Sequence, residues 1–595
     1  MGKSSVLRAL DWYFNGGKSG DLTEEDVCVG AGHRRIEVEV EFGNLTEDDR
    51  AVLGDSLVLG DTTDAHAIIG RSWEAGSASY WAHGRACPLF ADIRAAESAR
   101  ERIQRYKQFR VEHQDFELPA ANSAAAVEQE LRSWESMHPD QLVMERLPRP
   151  DLFGVGGETQ LSDVFDYVFV SADLRADEEA RDVKSTIVGR ILEHAIDRAG
   201  AESELADLVK PMADQYTAVE DKFFTQPLAD LSDRLTQAVK EFTRGREISV
   251  KPALPEFRIP TVQFEVKVTD GLAITRVDQQ GHGFRRALLI SALRSLADST
   301  PAAGSRVMCL AIEEPELFQH PVQARAFATV LRGLAQHQSH GVQVAYATHS
   351  PFFLEAEGFA EVRRIARVPV PGTDTGAVKV YSTSLQAIEY RLAGTKEPAQ
   401  VAKQLSGVFL KRLPEALFAD AVILVEGTTD QAILEGCALR EDALNVSGIV
   451  VVETNGKEGI PLAHSILEEL GVPCFVMFDG DGRVGNRTAP ENRANAEEVV
   501  GVANRRLLHY LHAPEQEHPA TTMTDRWAVL EDTLEPVLDE WAAWGAKHRE
   551  LIQDGRGLPG KDAATYRLAA IEADADPPAL LSDIIARARA LSPDG

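Results

Sequence analysis

Apolar residues along the chain fall into two kinds of pattern. The first is the short, nearly unbroken run. VMCLAI at 307–312, VQVAYA at 342–347, AVILV at 421–425, IVVV at 449–452, CFVMF at 474–478 and WAVL at 527–530 are of this kind. Runs of this length closed by acids or small polar residues predict strands covered on both faces, as in a parallel sheet between helices. The second pattern is periodic. IEVEVEF at 36–42 alternates and predicts a half-buried strand. FEVKVTDGLAITRV at 264–277 predicts a hairpin turning at Asp270-Gly271. VLRALDWYF after Ser5, the charged stretch 95–140 and the stretch 175–245 carry apolar residues at helical spacing. YVFVSADL at 167–174 predicts one more short strand.

From 421 onward strands alternate with helical stretches, and the runs near 307 and 342 do the same, so both halves are predicted to be α/β. The expected divisions are 1–170 and 251–400 as two parts of one domain, 171–250 as a helical insertion, and 415–595 as a second domain. The Pro-containing stretch 392–400 is expected to be a linker leading into a helix.

Composition narrows the classes. A chain of 595 residues is too long for one core. With 44% hydrophobic and 26% charged residues it has the make-up of a soluble protein, and no apolar run reaches the ~18 residues needed to span a bilayer. It opens on MGKSSVLRAL, without the apolar core of a signal peptide. Cys28, Cys87, Cys309, Cys437 and Cys474 are scattered, which argues against a zinc or disulfide framework and fits the cytoplasm. A net charge of −31 argues against a protein that coats nucleic acid nonspecifically. It does not exclude a nuclease, because carboxylates that hold Mg²⁺ make such sites locally acidic.

Gly2, Lys3, Ser4 and Ser5 supply the second half of a phosphate-binding loop: a glycine for close backbone approach, a Lys for phosphate oxygens, a hydroxyl for Mg²⁺. Glu313 and Glu314 close a buried run as LAIEEPE, which resembles a Walker B motif, in which the first acid helps hold Mg²⁺ and the second polarises water. THSP follows with His349, and Gly281-His282-Gly283 precedes a helical stretch. Any one of these is more often a turn or a helix cap; the order and spacing of all four point to an ATPase.

Glu426 directly follows the run at 421–425, with Asp430 four residues on; Asp479 and Asp481, separated by one glycine, end the run at 474–478. Alone, VEGTTD is also a helix-capping arrangement and DGD also a turn. Hard carboxylate oxygens at consecutive strand ends suit Mg²⁺, and two carboxylates flanking one residue in an extended segment share a side. Glu531, Asp532 and Glu535 end the next strand, and Lys561 sits at a glycine-marked helix start. His464 is expected to be a surface or packing group.

A Glu after the first strand and a DxD after a later one resemble the Toprim domain. The whole order resembles the OLD (overcoming lysogenization defect) family of ATP-dependent endonucleases. The resemblance implies an ABC-type P-loop ATPase head with a helical, dimerising insertion, followed by a Rossmann-like Toprim nuclease domain. It implies ATP bound by Gly2, Lys3, Ser4, Ser5, Glu313 and His349, with Glu314 catalytic and Gly281 and Gly283 contacting the nucleotide of a paired head. It implies Mg²⁺ or Mn²⁺ on Glu426, Asp430, Asp479, Asp481 and Glu535, with Lys561 assisting hydrolysis. DNA as substrate, a homodimer or higher homo-oligomer, a role in anti-phage defence or DNA repair, and a helicase or other defence-system partner are further implications. The strand and the Asn/Gly-rich loop that precede GKSS in the family are not in this sequence, as for a start codon placed too late or a truncated, ATPase-defective protein; weak ATP binding is therefore expected. The rival readings are an ATP-gated DNA-binding or structural protein whose Toprim domain does not cleave, and a primase- or topoisomerase-like enzyme. The last lacks any evident zinc motif or tyrosine-bearing cleavage domain.

Overall fold

A computed structural model describes most of residues 2–172, the runs 221–240 and 266–281, and most of 307–592; residues 173–199, 252–265 and 293–306 are among those outside it. About half of the expected dimerising insertion therefore lies outside the described residues, as does His282.

In the N-terminal part, helix α1 (Lys3–Asn15) is followed by an antiparallel meander of β1 (Arg35–Phe42), β2 (Ala67–Glu74), β3 (Ser77–Ala86) and β4 (Val143–Pro148). The strand expected at 36–42 is there, and three partners that the pattern did not reveal join it. Helices α2 (Ala99–Glu112) and α3 (Ala124–Met137) sit between β3 and β4. Their packing encloses Arg94, whose guanidinium meets Glu135 at 2.8 Å and Glu128 at 3.1 Å.

Next come β5 (Phe165–Val170), helix α4 (Gln226–Lys240), the hairpin β6 (Lys267–Asp270) and β7 (Ala273–Arg276), β8 (Val307–Glu313), helix α5 (Pro321–Gln336) and β9 (Val342–Ala347). The order β5-β8-β9 is parallel throughout. The β8 run is buried along almost its whole length, as the sequence required, whereas β9 buries only its two ends and leaves Val344, Ala345 and Tyr346 half-buried. Leu7 of α1 packs on Tyr167, Cys309, Ala311 and Ala347 on one side. Phe327 and Leu331 of α5 pack on Leu310 and Ile312 on the other.

Hairpin β10 (Arg364–Pro369) and β11 (Gly376–Tyr381), then α6 (Leu385–Arg391) and α7 (Pro398–Leu405), lead into the second α/β unit. The segment between α6 and α7 is not a free linker. Leu392 is fully buried in one apolar cluster with Ile388, Val401, Leu424 and Leu462, and the buried Lys396 ammonium donates to the carbonyl of Glu458.

That unit contains β12 (Ala421–Val425), α8 (Thr428–Leu439), β13 (Ile449–Glu453), α9 (Ile460–Glu469), β14 (Cys474–Asp479), α10 (Arg493–Tyr510), β15 (Thr522–Met523), β16 (Trp527–Leu530), α11 (Ala563–Glu572) and α12 (Ala579–Arg589). The sheet order is β13-β12-β14-β16-β15, parallel except for β15. Helices α8, α11 and α12 cover one face, α9 and α10 the other. Because successive connections from β12 go first to one side and then to the other, a crevice opens beyond the carboxyl ends of β12 and β14, where open α/β sheets place their sites.

Candidate functional site

The crevice collects the acids expected there. Glu426 is the first residue after β12. Its Oε1 accepts the backbone N–H of Asp479 at 2.9 Å, which joins the ends of β12 and β14. Burial pushes the Glu426 carboxyl up to about 7, with the charge of Lys457 opposing. Asp430 lies one turn into α8. Its Oδ2 accepts the Gly427 N–H at 2.9 Å, so it does cap the helix. It is nevertheless buried, and burial raises its carboxyl to about 6, with the neighbouring Glu535 and Asp481 adding to the rise. Burial, then the charges of Asp430, Glu426 and Asp481, raise Asp479 well above the carboxylate range. Its Oδ1 is buried without a hydrogen-bond partner.

Asp481 reaches the same place by a different route from the extended segment expected. Its φ is +53°, so the chain turns left-handed after Gly480. The loop is laced onto the end of β16: the N–H groups of Gly480, Asp481 and Gly482 donate to the carbonyls of Leu530, Asp532 and Glu531 at 2.6, 3.2 and 2.9 Å. A Cβ on Gly480 would stand 2.6 Å from the Leu530 oxygen, so only glycine fits this approach. Asp532 faces inward too, accepting the Arg483 N–H at 3.1 Å and pairing with Arg487 at 2.9 Å.

Three residues that sequence reasoning passed over complete the crevice. Lys457 follows the left-handed pair Asn455 and Gly456, and the Gly456 N–H donates to the Glu426 carbonyl at 2.7 Å. Its ammonium lies 3.8 Å from Glu426 and 3.3 Å from Asp481. Asn504 of α10 accepts from it at 2.7 Å. Arg487 meets the other Asp481 oxygen at 3.1 Å. The signal for Lys457 was the glycine-flanked NGKEG after a strand; for Arg487 and Asn504 the sequence held none.

Lys561 and Glu535 form an ion pair at 2.6 Å at the margin of the cluster. Burial would raise Glu535, but the hydrogen bond and charge of Lys561 outweigh it and lower the carboxyl. For Lys561, burial lowers the ammonium and Glu535 more than restores it. His464 is a packing group: it meets the Tyr510 hydroxyl at 2.9 Å, and burial lowers it to about 3.

The donor set fits a hard divalent cation: carboxylate oxygens converge, and the unpartnered Asp479 oxygen is one that burial would penalise without a ligand. As the side chains stand, no three acidic, histidine or cysteine groups among the described residues are arranged to hold one ion, because Asp481 is turned to Lys457 and Arg487.

A second constellation lies at the carboxyl ends of β8 and β9. Gly2 is left-handed (φ +95°) and starts α1, whose first turn carries neither an acid nor a side-chain cap. The Lys3 ammonium donates to the Thr348 carbonyl at 3.0 Å and meets His349 Nδ1 at 3.2 Å. Burial lowers it, against the charges of Glu316 and Glu314. Glu313 is buried and accepts from Arg8 and from the Ala172 N–H, both at 3.3 Å. Burial would raise it, but hydrogen bonds from Ser4, Ala172 and Arg8 lower it. Glu314 follows with φ +45°, its N–H on the Ala347 carbonyl at 2.7 Å. Gly2, Lys3, Ser4, Glu313, Glu314 and His349 are thus brought together, around bare N–H groups that suit phosphate. Ser5 is exposed on the next position of α1. Gly281 and Gly283 stand at a separate helix start, where the Gly281 carbonyl accepts from Arg285 at 3.1 Å. Glu316, missed in the sequence, fixes the β9 end by accepting from the Thr348 hydroxyl at 2.8 Å and the His349 N–H at 2.7 Å.

Comparison with known proteins gives the same two parts. Residues 1–354 match the AAA ATPase domain family, and residues 417–481 match the TOPRIM domain of overcoming lysogenization defect protein-like proteins. An OLD nuclease of Thermus scotoductus is 24% identical over 363 residues, 60% of this chain and 63% of that protein. Endonuclease GajA of Bacillus cereus is 26% identical over 217 residues, 34% of this chain and 31% of that protein. The chain thus spans less than two thirds of either relative. The C-terminal region of the Burkholderia pseudomallei OLD protein aligns with 29% of this chain and 99% of its own length, at 21% identity and a TM-score of 0.21.

Proposed function

We infer that this chain, which belongs to the OLD family of proteins joining an AAA-type ATPase domain to a Toprim domain, is a metal-dependent DNA endonuclease or nickase controlled by its ATPase part. The observation that carries the reading is the meeting of Glu426, Asp479 and Asp481 at the ends of two adjacent parallel strands. Asp479 offers its unpartnered oxygen to the cation, Glu426 and Asp481 complete the set, and Asp430 and Glu535 stand beside it. Mg²⁺ or Mn²⁺ bound there supplies activation of water and stabilisation of the leaving oxygen. Glu426 stands where it serves either as a ligand of that ion or as the base that takes a proton from water. Lys561 offers a cation to a phosphate at the rim.

ATP is held by Gly2, Lys3 and Ser4, with Glu313 toward its metal and Glu314 and His349 toward the terminal phosphate. Gly281 and Gly283 serve the partner's nucleotide in a homodimer. DNA is the substrate, a defence role with a helicase partner the biological setting, and the cytoplasm the compartment.

The test is nicking of supercoiled plasmid with Mg²⁺ or Mn²⁺, with and without ATP. Wild type cleaves and Asp479→Ala does not. Unchanged cleavage by Asp479→Ala removes this site. No wild-type cleavage of supercoiled, linear or single-stranded DNA leaves the ATP-gated DNA-binding reading in its place.

A further inference from the structure

The chain carries a net charge of −31, yet the loop after Asp481 is locally basic. Arg483, Arg487 and Arg493 all stand exposed, and Glu491 is the one acid between 483 and 493. Arg493 leans back on the loop, donating to the Gly485 carbonyl at 2.8 Å. Arg487, which ends the short helix Val484–Arg487, turns its guanidinium toward the acids. One nitrogen meets Asp532 at 2.9 Å and the other meets Asp481 at 3.1 Å.

The two partners are not equivalent. Asp532 is buried and fixed from behind by the Arg483 N–H at 3.1 Å. Asp481 is less enclosed and has a second cation, Lys457, at 3.3 Å. The guanidinium is thus anchored at one end and shared at the other. Its side chain is 42% exposed against 8% for Lys457, so of the two cations on Asp481 it is the one within reach of a ligand from solvent. A half-exposed ion pair adds little to the fold, so giving it up costs little. The flat fork of a guanidinium matches a phosphate as well as a carboxylate. A phosphate on its outer side replaces Asp481 charge for charge, while Asp532 keeps the fork aimed.

We propose that Arg487 is a substrate-binding residue of the nuclease centre: held on Asp532, it takes a phosphate of the DNA backbone in exchange for Asp481, which is thereby freed toward the bound cation. This rests on the nuclease reading above and names the contact through which DNA itself helps to assemble the acids. The rival role is local, with Arg487 only neutralising Asp481. A neutraliser loses its effect on DNA once Asp481 is uncharged; a phosphate contact keeps it.

The experiment is binding of a labelled duplex to the full-length protein by fluorescence anisotropy, across a NaCl series in saturating Ca²⁺, a hard cation suited to the same oxygens. Each phosphate neutralised adds about 0.9 to the slope of log affinity on log salt. Arg487→Ala is expected to flatten the slope by about one and to weaken binding about tenfold, in wild type and again in an Asp481→Asn background. Arg487→Lys keeps the slope. Arg487→Gln, which can still hydrogen-bond Asp532, repeats the loss if the Ala variant does not fold. An unchanged slope in the neutral variants, or a change that vanishes in Asp481→Asn, overturns the proposal and leaves the plasmid assay to judge the nuclease reading. The expected slopes in a protein that does not nick plasmid uphold Arg487 as a DNA contact and remove the nuclease reading. A wild type that binds no DNA overturns both.

Discussion

The backbone N–H of Asp479 donates to the side chain of Glu426 at 2.9 Å, so one acid is oriented by the strand that carries another. A carboxylate fixed in this way has one oxygen committed to the fold and the other free for chemistry.

Its protonation gives the first prediction. Folding raises Glu426 from an ordinary 4.5 to about 7, so between these values the folded protein binds more protons than the unfolded chain. The stabilising contribution is complete below about pH 4.5 and is lost as pH rises through 7. In EDTA, wild type should lose more stability between pH 5 and 8 than Glu426→Gln, by up to ~3 kcal/mol. Saturating Mg²⁺ should shrink that difference, because the ion favours the ionised form. Thermal unfolding of both proteins across the range checks this; a wild-type curve that rises with pH in step with the variant contradicts it.

Gly480→Ala should destabilise the protein by roughly 2–3 kcal/mol and abolish cleavage, since its Cβ meets the Leu530 carbonyl and the turn that carries Asp481 must open. ATP binding, at the far end of the chain, should not change. Denaturant unfolding and nucleotide binding measured on the same preparation separate the two effects.

Lys3→Ala should weaken ATP binding about 10- to 100-fold relative to wild type, the range for losing one charged hydrogen bond to phosphate. Filter binding with labelled ATP measures it, and equal retention by both proteins would take Lys3 out of the nucleotide site.

Arg94→Met should cost about 3–5 kcal/mol, because it strands the buried Glu135 without its partner. Adding Glu135→Leu should return much of the loss, a double-mutant cycle readable by thermal unfolding.

What was legible beforehand follows from where each signal lives. The runs AVILV and CFVMF identify covered strands because a parallel sheet leaves no polar face, and acids at their ends then mark the crevice. The meander β1–β4 was three-quarters hidden. β2 is buried at most positions on both faces and β3 at four of ten with no regular alternation, and Arg71 is enclosed there by a cation–π contact with Trp12 that no local pattern announces. Asp481 was assigned to the right place by the wrong geometry, since an extended DGD and a left-handed one read alike as letters. Asn504 sits mid-helix with nothing around it to distinguish it from a solvent-facing residue; only its place under Gly480 makes it matter.

Lys396, reaching the Glu458 carbonyl from the turn between α6 and α7, pins the residue next to Lys457. A Toprim fragment cut to begin at 415 discards that pin together with the buried Ile388, Leu392 and Val401. The segment that joins the two domains is in this sense also a wall of the second: to tug on it is to tug on the loop that carries Lys457.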